Sequence, residues 1–596
     1  MKTNQINTVL AKLFTLIAGG MMLPLLALAD NPVWNNSSDG NWGDGANWAP
    51  AIAPSVDSVV TINNASSKTV TISDATPVGN LEAYTLALSG VGGATNTLRI
   101  INNATLSLHK PYPWGQLYVG TGGHLVLDGG YLGSATNKSE ADLELGGEIT
   151  VISGGWQCGN VFLNNGKINL FGGTNSFQAS AIPSEGFYGQ ISFGHSAGYT
   201  GTVVMTGGLL VTTGSVVQVG NLGRGFMTVS GGEWRGSAFT VSGEGSGSLL
   251  TLSGGTNTFD STSEYGVVHS LLMTGGLLVT SNASRFEIYG STPGVVVSNG
   301  SWLASEIWLR GTGKLTMAGG QISASKVGTF YSTGGAVTFL VTGGILDVNT
   351  LVLDSASQVI SNSGGVFQFS TATPSISPGP SVITLNGGAI AFRDVPDVDV
   401  KGNWSGTSLA NMTFTPGGLN TFRLNNATNA SSGQAYTFDS EMGATNYYRL
   451  EMINGKTCYR GGDVTVGAGG AILFSNTAAR IEGALTQAGS MTVADSAVTI
   501  TGALSLSEGA VLTWTSNTVG NAVTVGGSVS LPANAAFTLS SPLGRDEVVT
   551  LITATGGIVG SPANWALSPL SHRLLVEGGN TLVLRPRVMG FILEIQ

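Results

Sequence analysis

A glycine doublet that returns every 22 or so residues constrains this chain more than any other feature of its sequence. The pattern apolar-x-apolar-Ser/Thr-Gly-Gly-x-apolar surrounds Met205-Thr206-Gly207-Gly208, Val229-Ser230-Gly231-Gly232, Leu252-Ser253-Gly254-Gly255, Met273-Thr274-Gly275-Gly276 and Val341-Thr342-Gly343-Gly344. Met317-Ala318-Gly319-Gly320 follows it with Ala for Ser/Thr, and looser copies stand at Val297-Ser298-Asn299-Gly300, Asn362-Ser363-Gly364-Gly365 and Leu385-Asn386-Gly387-Gly388. The pairs begin at 207, 231, 254, 275, 299, 319, 343, 364 and 387, a mean step of about 22.5. Copies at Gly129, Gly154 and Gly172 carry the pattern back, with one gap of 35 before Gly207. Twenty-odd residues suits one turn of a β-solenoid, whereas helical repeats need more than about 30.

The columns around the doublet read as strands. Two and four residues before it stand apolar side chains such as Met205 and Val203, Val229 and Met227, Leu252 and Leu250. Two residues beyond it come Leu210, Trp234, Leu278, Trp302, Ile322 and Leu346. Alternation with period two turns these residues inward and the intervening Thr, Ser and Asn outward. Val217/Val219, Phe239/Val241 and Phe286/Ile288 supply another strand per turn. The expectation is an all-β chain, a right-handed parallel β-helix of about 22 residues per coil.

Composition narrows the function classes. With 42% hydrophobic and 10% charged residues, the chain is not a charge-rich disordered polymer. Its 89 glycines do not fall at every third position, which excludes collagen. A net charge of −10 without a basic run argues against nucleic acid, since little displaces phosphate counterions.

The first 29 residues have the form of a signal peptide. Lys2 and Lys12 precede an apolar run over 13–28, and Ala27-Leu28-Ala29 offers a small-x-small cleavage site. After this segment the sequence divides into a Trp-rich cap and opening strands (30–115), the parallel β-helix (116–392), an irregular junction (393–462), a second β-strand-repeat segment (463–587) and a tail (588–596). Arg393-Asp-Val-Pro-Asp-Val-Asp-Val-Lys401, with Asp394, Asp397 and Asp399, is a second acidic cluster and reads as a loop. No second apolar run of spanning length follows the signal segment. Cys158 and Cys458 lie many coils apart in a linear solenoid, beyond the roughly 7 Å that a disulfide allows. Two free, mostly buried thiols are expected.

Chemistry-bearing motifs are sparse. The five histidines, His109, His124, His195, His269 and His572, never form a ligand-like pair. Gly122-Gly123-His124 and Phe193-Gly194-His195 read as turns. The best carboxylate set is Glu140, Asp142 and Glu144, whose i, i+2, i+4 spacing places them on one strand face. They are the candidate metal ligands, calcium being the cation such oxygens suit; the competing reading is a solvated outer face. No catalytic set and no cofactor is expected. Trp34, Trp42 and Trp48 read as an end cap rather than a sugar platform, and Trp234 and Trp302 as core.

Several stretches resemble a known family. Val219-Gly-Asn-Leu-Gly-Arg-Gly-Phe-Met-Thr-Val-Ser-Gly-Gly-Glu-Trp234 resembles the repeat of bacterial autotransporter passengers and PEP-CTERM-associated exported proteins. Tyr459-Arg-Gly-Gly-Asp-Val-Thr-Val-Gly-Ala-Gly-Gly470 resembles the autotransporter-associated β-strand repeat. Gly40-Asn-Trp-Gly-Asp-Gly-Ala-Asn-Trp48 looks like their Trp-rich opening, and 549–557 through 582–584 like their closing hairpin. Together these stretches span most of the mature chain, which departs from the family pattern in showing neither a run of translocator-barrel strands nor a Pro-Glu-Pro sorting signal. It implies an exported β-helix, secreted or on the surface of a Gram-negative-type cell, handled by secretion machinery.

The expected function is a structural or adhesive, non-catalytic role at the cell surface or in the extracellular matrix. Its partners would be polysaccharide, matrix or copies of itself, engaged multivalently. The alternative is an extracellular polysaccharide lyase or hydrolase built on the same β-helix.

Overall fold

In a computed structural model of the chain, residues 31–587 are described, apart from 110–116, 135–139, 178–189, 242–246, 261–265, 330–336, 394–411, 415–419, 430–447, 516–520 and some shorter stretches. Residues 1–30, which include the expected signal peptide, and the tail over 588–596 lie outside the described residues. The fold is nearly all β, with 61% strand and no α-helix among the described residues; parallel strands stack into a β-solenoid of about 15 turns.

Three walls run along the axis. The first carries Thr85–Leu88, Leu117–Val119, Glu140–Glu144, Asn160–Asn164, Gln190–Phe193 and their successors to Ser375–Pro378. The second carries the strand ending at each glycine doublet, including Thr200–Met205, Arg224–Val229, Leu249–Leu252 and Ser270–Met273. The third begins after the doublet, with Leu209, Glu233, Thr256 and Leu277 in register. Neighbouring coils bond in parallel, so each buries its apolar face against the next. One core cluster extends from Trp34 to Leu584.

The mean turn is about 24 residues rather than 22. The tight coils downstream of Gly207 set the shorter period; excursions at the corners lengthen others. Ile168 pairs with Val203 across 35 residues, and Ala536 with Ala566 across 30. Within 393–462, strands Asn420–Asn425 and Tyr448–Gly461 bond Ala389–Arg393 on one side and Ala471–Glu482 on the other. The third wall therefore continues unbroken through that stretch. Beyond it, Val464–Val466, Leu485–Gln487, Leu504–Leu506, Val529–Ser530 and Ile558–Val559 form a separate five-stranded sheet.

Antiparallel pairing occurs only at the two ends among the described strands. Val33–Trp34 pairs with Trp48–Ala49, and Trp34, Trp42 and Trp48 are all buried, their rings meeting edge to face. These indoles close the core and offer no exposed stacking surface. At the other end Thr581–Pro586 pairs with both Val549–Ala554 and His572–Glu577, the hairpin closure expected there. Cys158 is buried, and its thiol donates to the Asn160 carbonyl at 3.2 Å. Cys458 pairs with Ala479 through the backbone in a far coil, and its side chain lies outside the described residues.

Outward positions are less uniformly polar than expected. On the second wall Val204, Phe226, Leu249, Leu272, Val296 and Leu340 face out and are half-buried. The hydroxyls concentrate instead at the corner before each doublet. There Thr206, Ser230, Ser253, Thr274, Ser298, Thr342 and Ser363 are all exposed.

Candidate functional site

Because the interior is packed, chemistry can sit only on outward positions of the walls. Three polar clusters do so. The first spans coils 123–170 of the second wall. Alternation turns Leu125 and Leu127 inward, so His124 and Val126 point out. His124 lies on the strand Gly123–Ser134, not in a turn as its glycine neighbours suggested. Its Nε2 is 3.1 Å from Thr150 Oγ1, which also accepts from Asn169 Nδ2 at 3.2 Å. Asn169 Nδ2 also donates to Glu148, whose carboxylate pairs with Lys167 at 3.6 Å. Burial holds the His124 pKa below its ordinary 6.5; Glu148 opposes this and Lys167 adds to it. The imidazole is therefore neutral at pH 7, a protonation state suited to a general base. His195 is a loop residue, packed on Phe162 with ring centroids 4.5 Å apart, and burial lowers its pKa too.

The second cluster, on the first wall, is a checkerboard of charge over three coils. Phe286 and Ile288 point inward, leaving Glu287 outward yet only 3% exposed. Its Oε1 faces Arg285 Nε at 3.1 Å and Arg310 Nη2 at 2.6 Å, and its Oε2 accepts from Tyr289 Oη at 2.9 Å. Burial, then the hydrogen bond to Glu287, raises the Tyr289 pKa, so the phenol stays a donor. One coil on, the Trp308 indole lies over Gly328, where an added Cβ would come 2.8 Å from the ring. Arg285 and Lys326 approach that ring at 4.5 and 4.7 Å, and Trp308 Nε1 donates to Glu306 at 2.7 Å.

The third cluster lies on the third wall. Asp347 accepts from Gln368 (2.9 Å), Ser370 (2.6 Å) and Arg393 (2.8 Å). Further along, Glu451 is held between Arg423 at 2.5 Å and Arg449 at 2.8 Å. Glu287, Asp347 and Glu451 each already face at least one guanidinium, and Glu306 accepts from the Trp308 indole. Both clusters are ion-paired lattices whose carboxylates are engaged.

The strand Glu140–Glu144 forms as expected, with Asp142 in register with Tyr118 and Phe162. The side chains of Glu140, Asp142 and Glu144 lie outside the described residues. Among the described residues, no group of three or more His, Cys, Asp or Glu could hold a metal ion. Sequence reasoning missed Glu287, Asp347 and Glu451. For Glu287 and Glu451 the available signal was an opposite charge two residues away, Arg285 and Arg449; Asp347, between Ile345 and Asn349, carries no such signal. Comparison with known proteins finds no family model, no curated protein and no solved structure that matches this chain.

Proposed function

We propose that the chain is an exported, non-catalytic rod that serves as a structural or adhesive element at a cell surface or in the extracellular matrix. The observation that carries this reading is the corner row of exposed hydroxyls. Thr206, Ser230, Ser253, Thr274, Ser298 and Thr342 each hydrogen-bond through the backbone to the preceding coil in the same way. Equivalent contact groups therefore repeat about every 5 Å along the axis from Thr206 to Ser298 and resume at Thr342, one coil beyond Ala318. Such a row favours many weak contacts, where avidity replaces single-site affinity. The signal-like segment over 1–29 and the resemblance to exported repeat proteins support the compartment.

The test is a surface-density titration of the full chain on cells, matrix and polysaccharide. Binding is expected to grow more steeply than the number of displayed copies. Tight, saturable binding of soluble monomer to one small molecule would overturn the reading.

The His124 cluster favours a second reading, an enzyme acting on acidic polysaccharide. A neutral imidazole beside Glu148 and Lys167 is the arrangement a proton-abstracting site would need. Turnover of uronic-acid polymers by the full chain, abolished by His124→Ala, would establish it over the first.

A further inference from the structure

One corner of the rod departs from the hydroxyl row. Phe171 donates its backbone N–H to Val151 O at 2.8 Å, as Thr206 does to Leu170 O at 2.9 Å and Ser230 to Met205 O at 2.8 Å. Phe171 therefore heads the same column, and the pairing of Leu170 with Val151 aligns Ile152 with it one coil earlier. Ile152 is 45% and Phe171 48% exposed. Across the glycine doublet, Tyr131 is 43% exposed and pairs with Gly155 of the next coil. A Cβ on Gly155 would stand 3.3 Å from Tyr131 Cδ1, so the ring rests against bare backbone. Ile152 and Phe171 thus expose apolar side chains at this corner in two consecutive coils, the coil before them carries Asp128 there, and Tyr131 stands diagonally across the doublet as the first outward residue of the third wall.

An exposed apolar patch of this kind marks an interaction surface. Its chemistry selects the partner. Among the described residues of these coils and the one before them, Asp128 pairs with Arg99 at 2.5 Å and Glu148 with Lys167 at 3.6 Å. An ionic polymer would therefore find those counter-charges already taken. A neutral sugar chain matches better, because a pyranose has an apolar C–H face for an aromatic ring and a rim of hydroxyls. The column continues from Phe171 into Thr206, Ser230 and Ser253, which supply hydroxyl partners in line with the patch. Tyr131 and Phe171 lie two coils apart, about 10 Å along the axis. That interval spans two rings of an extended β-1,4-linked chain.

We propose that Tyr131, Ile152 and Phe171 form a binding site for a neutral, extended β-linked polysaccharide laid along the rod axis. The site deepens the adhesive reading and rests on it, and gives the hydroxyl row a fixed end at which a chain is anchored.

The experiment is affinity electrophoresis of the full chain in gels containing hydroxyethylcellulose, with titration of cellohexaose, maltohexaose and an oligogalacturonate of similar length. Retardation by the β-glucan and preference for cellohexaose over both other oligomers are expected. Tyr131→Ala and Phe171→Ala should each weaken binding tenfold or more, and Tyr131→Phe should retain it, since the ring face and not the hydroxyl makes the contact. Exposure of both rings predicts unchanged melting temperatures, which separates lost binding from lost fold. Full binding by the Tyr131→Ala/Phe171→Ala double variant would overturn the site. Absence of β-glucan binding by the parent chain, or preference for the oligogalacturonate, would overturn the ligand class. If that double variant still coats cells in a density-dependent way, the adhesive reading stands and the site alone fails.

Discussion

Gly255 shows why the doublet cannot drift. Its φ is +72°, and a Cβ there would lie 2.6 Å from the carbonyl oxygen of Gly232, its counterpart one coil earlier. That carbonyl accepts from Thr256 N at 3.0 Å, so it cannot retreat without losing a bond. The first glycine of the pair needs no left-handed φ, although a Cβ on Gly254 would stand 2.2 Å from Ser230 O; where Asn299 takes that position, Gly300 keeps φ +84°. Gly255→Ala should therefore cost more than the 1–3 kcal/mol typical of a left-handed non-glycine residue. Gly311→Ala, at φ +59° with open space around it, should cost only about 1 kcal/mol. Urea denaturation of the two variants checks the difference. A second residue-scale prediction concerns the core tryptophans. Trp234 Nε1 donates to Thr212 Oγ1 and Trp302 Nε1 to Thr280 Oγ1, both at 3.0 Å. Thr212→Val and Thr280→Val should each cost about 1–3 kcal/mol, because each strands a buried indole N–H. Equal stability of parent and variants would show that the hydrogen bond contributes nothing net.

Between coils, charge does what apolar stacking alone cannot. Near-identical coils offer similar apolar surfaces one step out of register, whereas Glu287 finds both Arg285 and Arg310 only in the native stack. Removing the acid leaves two partly buried guanidiniums without their counter-charge, a loss of about 3–5 kcal/mol. Glu287→Gln should therefore speed hydrogen exchange in strands Gly266–Val268, Phe286–Ile288 and Ser301–Leu309, which pack around it. Exchange unchanged there would assign the lattice to the surface and not to coil register. The histidines add a pH dependence. His124 and His195 have folded pKa values below 6.5, the value they regain on unfolding. The unfolded chain then binds more protons below that pH, so their contribution is complete above about 6.5 and falls as pH drops toward the folded values. Melting temperature should decline on acidification from pH 7 to 5. His124→Gln and His195→Gln should flatten that decline, and an unaltered profile in the double variant would place its origin in the carboxylates.

At the scale of the whole molecule, the architecture was legible because each coil repeats the same physical demand: an inward triplet such as Leu250-x-Leu252, a left-handed glycine, then another inward residue. The coil length was less so, since an excursion such as the 35 residues between Ile168 and Val203 leaves the strand pattern intact while stretching the period. The site chemistry was hardest to see. Tyr131 and Phe171 are 40 residues apart in sequence and come to the two sides of one corner only because a single coil stacks between theirs. The same stacking sets how the rod comes apart. Each coil touches only its neighbours, so stability is a sum of local terms and a lesion in one coil need not reach the ends. Gly255→Ala should raise hydrogen exchange in Leu249–Leu252, Thr256–Phe259 and the coils on either side. The caps should keep the parent's protection, both around Trp34, Trp42 and Trp48 and across the antiparallel pairing of Val549–Ala554 with Thr581–Pro586. Peptide-resolved exchange on the full chain reads both regions in one experiment. Equal loss of protection at the lesion and at both caps would show that the rod unfolds as one cooperative unit, and the additive picture would be wrong.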